Sequence, residues 1–486
     1  MIKNFKSPAI LVIVILLTIH SCSDHKDDII TATTRPAKLK EDLGVLRNLL
    51  NEVHAGAFAF TSKNNIDRLF DSISSSITTP LTKREFLDKV DYIIDQVHCA
   101  HTNSFFDDTY LDTLLHRKYF FPIPLIRIGE SIFINTDSYN IPYGSEVFLI
   151  NNHTAKEMFS KLSFHEHTDG VPGNNKNAAI NDDFAYDYFL AFGPEKKFLI
   201  RYRDAETKEV ETKTVDPETL NYVDQSRRDI NYNFPTDAPY DFTIDDDKKM
   251  GILTIRSFDM PTYSQQTAFL NFLENSFSLM KYKGTRNLII DYRNNTGGHF
   301  ICSYGLLSYF IHSPVLEFDS VVRRFDVLPY REFVSVNDSS QKIMIDSSYT
   351  GYKRTGNHSY ARKMEELDTC FPAKDIFRGK LFVITNGNVI SAASSSASLL
   401  KELAGATIIG EETGGSYAVF NSELLSYTLP NSGIKIDIPT LRYYTPVRKK
   451  ENMNAVIPDH YIPVNKEDFI GMDDGPMKFI IDSLIR

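Results

Sequence analysis

The chain of 486 residues contains no tryptophan and only four cysteines. Four thiols spread over that length cannot form the stapling framework of a small disulfide scaffold. Basic side chains are in the minority, 53 Lys+Arg against 63 Asp+Glu. The chain therefore lacks the basic stripe that a broad nucleic-acid surface needs. Beyond the N-terminus no apolar run approaches the ~20 residues that span a bilayer. Internal repeats and low-complexity tracts are absent too; the run Ser394-Ser395-Ser396 is too short to count. What is present is a globular composition, 42% hydrophobic and 24% charged, which excludes disordered and collagen-like chains. At ~150 residues per domain the length suggests about three domains.

The first residues change this arithmetic. Lys3 and Lys6 precede an apolar run from Ala9 to Ile19, followed by His20-Ser21-Cys22. A basic start, a short apolar stretch and a small residue at the cut read as a secretory signal over residues 1–21. Cys22 directly after Ser21 resembles a bacterial lipobox, which implies an acylated Cys22 as the mature N-terminus. Several acyl chains suffice for stable membrane anchoring. The alternative is a plain signal peptide cut nearby, with Cys22 incidental. Loss of Lys3 and Lys6 takes the net charge from −10 to −12. Residues 22–37 read as a tether. Its acidic start, Ser23-Asp24-His25-Lys26-Asp27-Asp28, also resembles the surface-export tags of some Gram-negative lipoproteins. The expected location is the cell envelope, lipid-anchored at the outer membrane on its periplasmic or surface face. Cys99, Cys302 and Cys370 remain as thiols, and their spacing selects no pair.

Three regions follow the tether. Leu39, Leu43, Leu46, Leu50 and Val53 recur at helical spacing. Thr82-Lys83-Arg84-Glu85 is a capping box that opens a second helix with a stripe of Phe86, Val90, Ile93 and Val97. Residues 38–115 are thus expected to form a helical domain that delivers His101 at a helix end. From Phe120 the period becomes strand-like, with Gly129-Glu130 as a turn. Tyr143-Gly144, the run Val147 to Asn152, a helix from Ala155 to Leu162 and strands at 197–203 and 210–215 resemble a PDZ-like module over 116–216. An irregular β insertion is the alternative. Residues 217–240 read as a linker. From 241 to 486, strands (250–255, 287–293, 379–386, 406–410) alternate with helices (266–282, 391–403), and a long polar stretch at 315–378 interrupts them. Such alternation implies a parallel sheet with right-handed crossovers.

Three segments of this last region can carry chemistry. In Asp291-Tyr292-Arg293-Asn294-Asn295-Thr296-Gly297-Gly298 a buried strand runs into a double glycine, where backbone N–H groups can closely approach a ligand. In Thr385-Asn386-Gly387-Asn388-Val389-Ile390-Ser391-Ala392 a strand and loop place Ser391 at a helix N-terminus, where the dipole favours negative charge. Ser391 there is either a nucleophile or an ordinary N-cap, a position serine favours anyway. Gly410-Glu411-Glu412-Thr413-Gly414-Gly415 again runs from a strand into a double glycine.

In this order and spacing the three segments resemble the S41 peptidases, the tail-specific or C-terminal processing proteases and their tricorn-core relatives. The resemblance spans about residues 245–465. It implies an α/β fold: a mostly parallel-sheet peptidase core of the ClpP/crotonase-like kind, flanked by a PDZ-like module and an N-terminal helical domain. It also implies serine endopeptidase activity. One branch of the family uses a Ser/Lys dyad, and its lysine is missing at Thr413-Gly414-Gly415-Ser416. Lys401 lies more than two helical turns past Ser391 and is a poor substitute. The tricorn-like branch uses a histidine from the helical region, which His101-Thr102 matches. The resemblance therefore assigns Ser391 as nucleophile, His101 as general base, and the N–H groups of Ala392 and of Gly297 or Gly298 as oxyanion donors. A late glutamate orients the histidine in that branch. Glu451, upstream of Pro458-Asp459, is the nearest acid but stands one residue off the pattern.

His98 is a rival base on the same segment. His98, Cys99 and His101 together could ligate a metal, but a catalytic zinc needs three protein ligands and no second ligand cluster appears, so neither metal nor cofactor is expected. The expected function is a secreted, lipid-anchored serine endopeptidase that acts on peptides or unfolded proteins through an acyl-enzyme. The alternative is a non-catalytic ligand- or peptide-binding lipoprotein on the same fold, as in the photoreceptor retinoid carriers.

Overall fold

A computed structural model describes residues 29–170, 176–226, 238–335, 351–356, 359–363, 365, 367–448 and 453–485. The signal segment, Cys22 and Glu451 lie outside these residues. The chain has an α/β fold built on three sheets of five or more strands.

The central sheet runs in the order Tyr240–Asp245, Met250–Ile255, Asn287–Asp291, Lys380–Thr385, Thr407–Gly410 and His460–Tyr461. Its first pair is antiparallel and the remaining pairs are parallel. Leu288, Ile289, Ile290, Val383 and Ile384 are fully buried. Such continuous apolar runs are what a sheet covered on both faces requires. The crossover helix Tyr263–Lys283 begins with a capping box at Thr262 and Gln265 and ends at Gly284 in the left-handed conformation. Asn287–Asp291 and Lys380–Thr385 are direct neighbours in parallel register. Their C-terminal loops, which carry Gly297 and Ser391, therefore open side by side, where open α/β sheets bind ligands.

A second sheet is dominated by the hairpin of Val419–Thr428 and Lys435–Tyr444. The polar stretch at 315–378 supplies further short strands to it, Ser320–Arg323, Tyr352–Gly356 and Ser359–Arg362. The strand Asn103–Phe105 from the N-terminal helical region pairs with Lys435 to Asp437 of the hairpin. This addition brings His101, two residues earlier, to the peptidase region. The helices share one apolar core with the hairpin: Leu46, Leu50, Phe86, Val90 and Ile93 pack with Tyr427, Ile436 and Ile438. The helical region and the hairpin are thus bonded through both backbone and core.

The third sheet, over Leu125–Ile128, Ser131–Ile134, Glu146–Ile150, Phe198–Arg203 and Val210–Val215, is antiparallel with its own core. Ala155–Leu162 and Lys176–Phe192 are its helices. The second of these was not expected from the sequence; its apolar residues lie on several faces, so no clean period marks it. Within the expected linker the residues Leu220–Ser226 form a helix.

The expected capping box at Thr82 and Glu85 is present, and the helix it opens runs over Lys83–Asp95. Polar ties on this helix hold the segment that follows Ala155–Leu162. His165 Nδ1 lies 2.7 Å from Asp91 Oδ2, and His165 Nε2 lies 3.5 Å from Asp88. Lys176 Nζ pairs with buried Asp95. Burial pulls the His165 pKa down, but Asp88 and Asp91 outweigh it and raise the value to about 9. A folded-state value above that of a free imidazole contributes stability below pH ~6.5 that is lost as pH rises through the folded value. In paired chemical unfolding across pH 6 to 10, His165→Gln is therefore expected to be most destabilised relative to the natural protein near pH 6. The difference should shrink as pH passes about 9.

Candidate active site

Ser391 stands immediately before the helix Ala392–Ala404 with φ 55° and ψ −129°. An N-cap side chain accepts a hydrogen bond from backbone in the extended region. Ser391 is not in that region, and its side chain caps nothing. The ordinary N-cap reading is thereby set aside. A positive φ on a non-glycine residue costs of order 1–3 kcal/mol and persists only where surrounding structure imposes it.

The surrounding structure is the glycine turn. Asn295 donates from Nδ2 to Ile255 O (3.0 Å) and accepts at Oδ1 from Gly297 N–H (2.9 Å). Its carbonyl accepts from Ile390 N–H. Asn386 and Asn388 both donate to Asn294 Oδ1, and Asn388 reaches Asp182 at 2.6 Å. The two loops at the sheet's C-terminal edge are thus laced together by asparagine amides. A Cβ on Gly297, whose φ is +97°, would stand 2.7 Å from Ser391 Cβ and 3.0 Å from Ala392 N. Gly298, with φ +135°, is pressed as tightly against the Phe258 backbone. Gly297 N–H is already engaged by Asn295 Oδ1. Among the described residues, neither Gly298 N–H nor Ala392 N–H has an acceptor.

Asp291 and Arg293, in the same motif, do structural work. Asp291 accepts from Arg293 Nε and Nη2 and from Arg256 Nη2, and Arg293 continues to Asp474. These guanidinium groups outweigh burial and hold the Asp291 carboxyl well below the usual carboxylate range.

The third motif lies over the loop that carries Ser391. Gly415 N–H donates to Val389 O (3.0 Å), and a Cβ on Gly415 would meet Ser394 Oγ at 2.2 Å and Ile390 Cα at 2.9 Å. Thr413 Oγ1 donates to Gly415 O, closing the loop on itself. Lys401 Nζ is bonded to Ile457 O and Asp459, away from Ser391.

His101 follows a turn rather than a helix end, because the helix stops at Asp95 and His98 takes φ 54°. Burial lowers the His101 pKa and the charge of Asp169 opposes this. His101 Nδ1 is buried without a hydrogen-bond partner. No hydrogen bond joins His101 to Ser391 among the described residues; apo catalytic contacts are often loose and tighten on substrate binding. Asp169 ties the His101 turn to the 413–416 loop, which packs on Ile390 and Ser394 beside Ser391: its N–H donates to Gly414 O (2.9 Å) and its Oδ1 accepts from Ala100 N–H (2.9 Å). His98 packs edge-on against Phe60 at 6.4 Å and passes Gly170 N–H its carbonyl.

Asp169 was not flagged by the sequence. The dense run Phe164-His165-Glu166-His167-Thr168-Asp169-Gly170 was the available signal, but it falls outside every motif. The three thiols Cys99, Cys302 and Cys370 are free. Cys99 Sγ, a ring nitrogen of His101 and a carboxylate oxygen of Asp169 lie within 4.8 Å of one another. His98 is not part of that group.

Gly297→Ala is expected to fold with a loss of about 1–3 kcal/mol, the usual cost of overpacking. It should also displace Ser391 enough to abolish its reaction with a serine-directed phosphonate. Thermal melting and labelling, read on the same sample, check this.

Residues 249–462 match the model of peptidase family S41. No curated protein matches the chain. Among solved structures, mature CPAF complexed with lactacystin superposes with a TM-score of 0.60 at 16% identity, over 93% of this chain and 98% of that one. Mature CPAF alone gives 0.59 at 16% identity, over 93% and 96%. At such identity the likeness concerns the fold, which extends beyond the matched segment to nearly the whole chain. The match over the α/β core identifies residues 249–462 as a peptidase family S41 region, which supports a serine-type peptidase.

Proposed function

We propose that the protein is an exported, lipid-anchored serine endopeptidase in which Ser391 is the nucleophile and His101 the general base. The observation that carries this reading is the backbone of Ser391. A buried serine held at φ 55° before a helix, uncapped, has no structural use for its strain. The two unengaged N–H groups beside it, of Gly298 and Ala392, supply an oxyanion hole.

In this mechanism neutral His101 takes the Oγ proton as Ser391 attacks the scissile carbonyl. The tetrahedral oxyanion is stabilised by the two N–H groups, and the imidazolium returns its proton to the leaving amine. Water then repeats the sequence on the acyl-enzyme. Lys401 takes no part, because it is committed to Asp459.

The acylated Cys22 and the acidic tether would hold the body at the envelope surface. The antiparallel module over 116–216 acts as a PDZ-like domain that takes an extended peptide by strand addition. Peptides and unfolded proteins are accordingly the substrate class.

Ser391→Ala is expected to reduce peptide hydrolysis by roughly 10⁴-fold or more, as loss of a serine nucleophile does, with unchanged melting. A retained rate in that variant would overturn the assignment. So would failure of a phosphonate to label Ser391, which would favour the ligand-binding alternative. Because burial lowers the His101 pKa, the neutral base persists to more acidic pH than a free imidazole. The acid limb of kcat/KM is expected below pH ~6.5, read from a pH–rate profile.

A further inference from the structure

We propose that Asp169 is the positioning residue of His101, its Oδ2 accepting the imidazole Nδ1–H in the working enzyme and holding Nε2 toward Ser391. The inference rests on the Ser391–His101 reading above and names the carboxylate that completes it.

Two orphaned atoms carry it. His101 Nδ1 and Asp169 Oδ2 are both buried and both lack a partner. Leaving such atoms unpaired costs about 1–3 kcal/mol each. A ring nitrogen and a carboxylate oxygen of this pair already lie within 4.8 Å, which puts the two side chains within reach of each other. The rest of Asp169 is fixed: Oδ1 holds Ala100 N–H, and the Asp169 N–H holds Gly414 O. Asp169 is therefore bonded both to the residue preceding His101 and to the loop that packs on Ile390 and Ser394, on either side of Ser391.

The charged and titratable groups around the pair are few. Cys99, whose thiol is pushed up to about 11 by burial, lies beside it and accepts from Asn421 Nδ2. His54 sits behind, held neutral by burial and bonded to Thr102. Burial raises the Asp169 pKa, against which His101, backbone N–H groups and buried Arg442 favour its ionised form. A second cation so close disfavours a metal ion among Cys99, His101 and Asp169, and favours a hydrogen bond to an ionised carboxylate. The proton balance is simple. Nδ1 keeps its hydrogen throughout, Nε2 takes the Ser391 proton, and Asp169 stays ionised and stabilises the imidazolium, as the acid of a Ser-His-Asp triad does.

Asp169→Asn is the test, because its amide oxygen can keep the Ala100 bond. Its NH₂ then faces Nδ1 and selects the tautomer with the hydrogen on Nε2, which cannot accept a proton. Expected are a loss in kcat of about 10²–10⁴-fold, KM changed less than about threefold, and an acid limb of kcat/KM moved to lower pH. The limb moves because the charge of Asp169 raises the His101 pKa. Unchanged kcat and limb in a folded variant would overturn the proposal. Should the variant not fold, ¹⁵N-histidine NMR of the Ser391→Ala protein decides the matter. A hydrogen on His101 Nδ1 at pH 8 is expected, and one on Nε2 overturns it. Stoichiometric zinc inhibition relieved by Cys99→Ser would also overturn it, by making the triplet a metal site. Failure of the phosphonate to label Ser391 in the natural protein sinks the parent reading instead, and the NMR result stands apart from it.

Discussion

Asp169 is the point at which the chain's distant parts meet. Its backbone and side chain bind the 98–102 turn on one side and the 413–416 loop on the other. The first carries His101; the second lies on Ile390 and Ser394, the neighbours of Ser391. Burial raises the Asp169 pKa, and the hydrogen bond from Ala100 N–H to Oδ1 offsets part of the lost hydration. Its own segment is secured in turn by His165 against Asp91 and by Lys176 against Asp95, both on the helix that leads to the turn. The candidate site is thus assembled from regions held together by these polar ties, by the strand Asn103–Phe105 and by the apolar core that the helices share with the hairpin.

The central sheet solves a different problem. Parallel neighbours 287–291 and 380–385 bring two loops to one edge, and the asparagine amides then fix those loops at a spacing that only glycine permits. Ser391 keeps its positive φ because Asn295 holds Ile390 from one side and Gly415 presses from the other. The strain is local, and the cost is met by the fully buried apolar strands beneath it.

Much of this was legible in the chain. Apolar runs such as Leu288 to Ile290 and Leu381 to Ile384 announce buried strands, and Thr82 with Glu85 marks a helix start by chemistry that is local. Ser391 and Gly297 could be singled out because small residues at strand ends have few other uses. The helix Lys176–Phe192 and the hairpin 419–444 were not legible. The helix is apolar on several faces and shows no single stripe, and the hairpin's alternation is broken by polar residues that pair with other segments. Asp169 escaped notice because an aspartate gains meaning only from what it faces.

Many of the elements, the order of the three loop motifs and their resemblance to a known family could be read from the chain alone, since these depend on residues near one another. It also decided that a serine precedes a small-residue helix. Only the tertiary structure decided that this serine is strained rather than capping, that Gly298 rather than Gly297 has a free N–H, and that the histidine's buried neighbour is Asp169. Those are matters of contact between segments tens to hundreds of residues apart, which hydrogen-bond geometry and steric exclusion settle after the chain has folded.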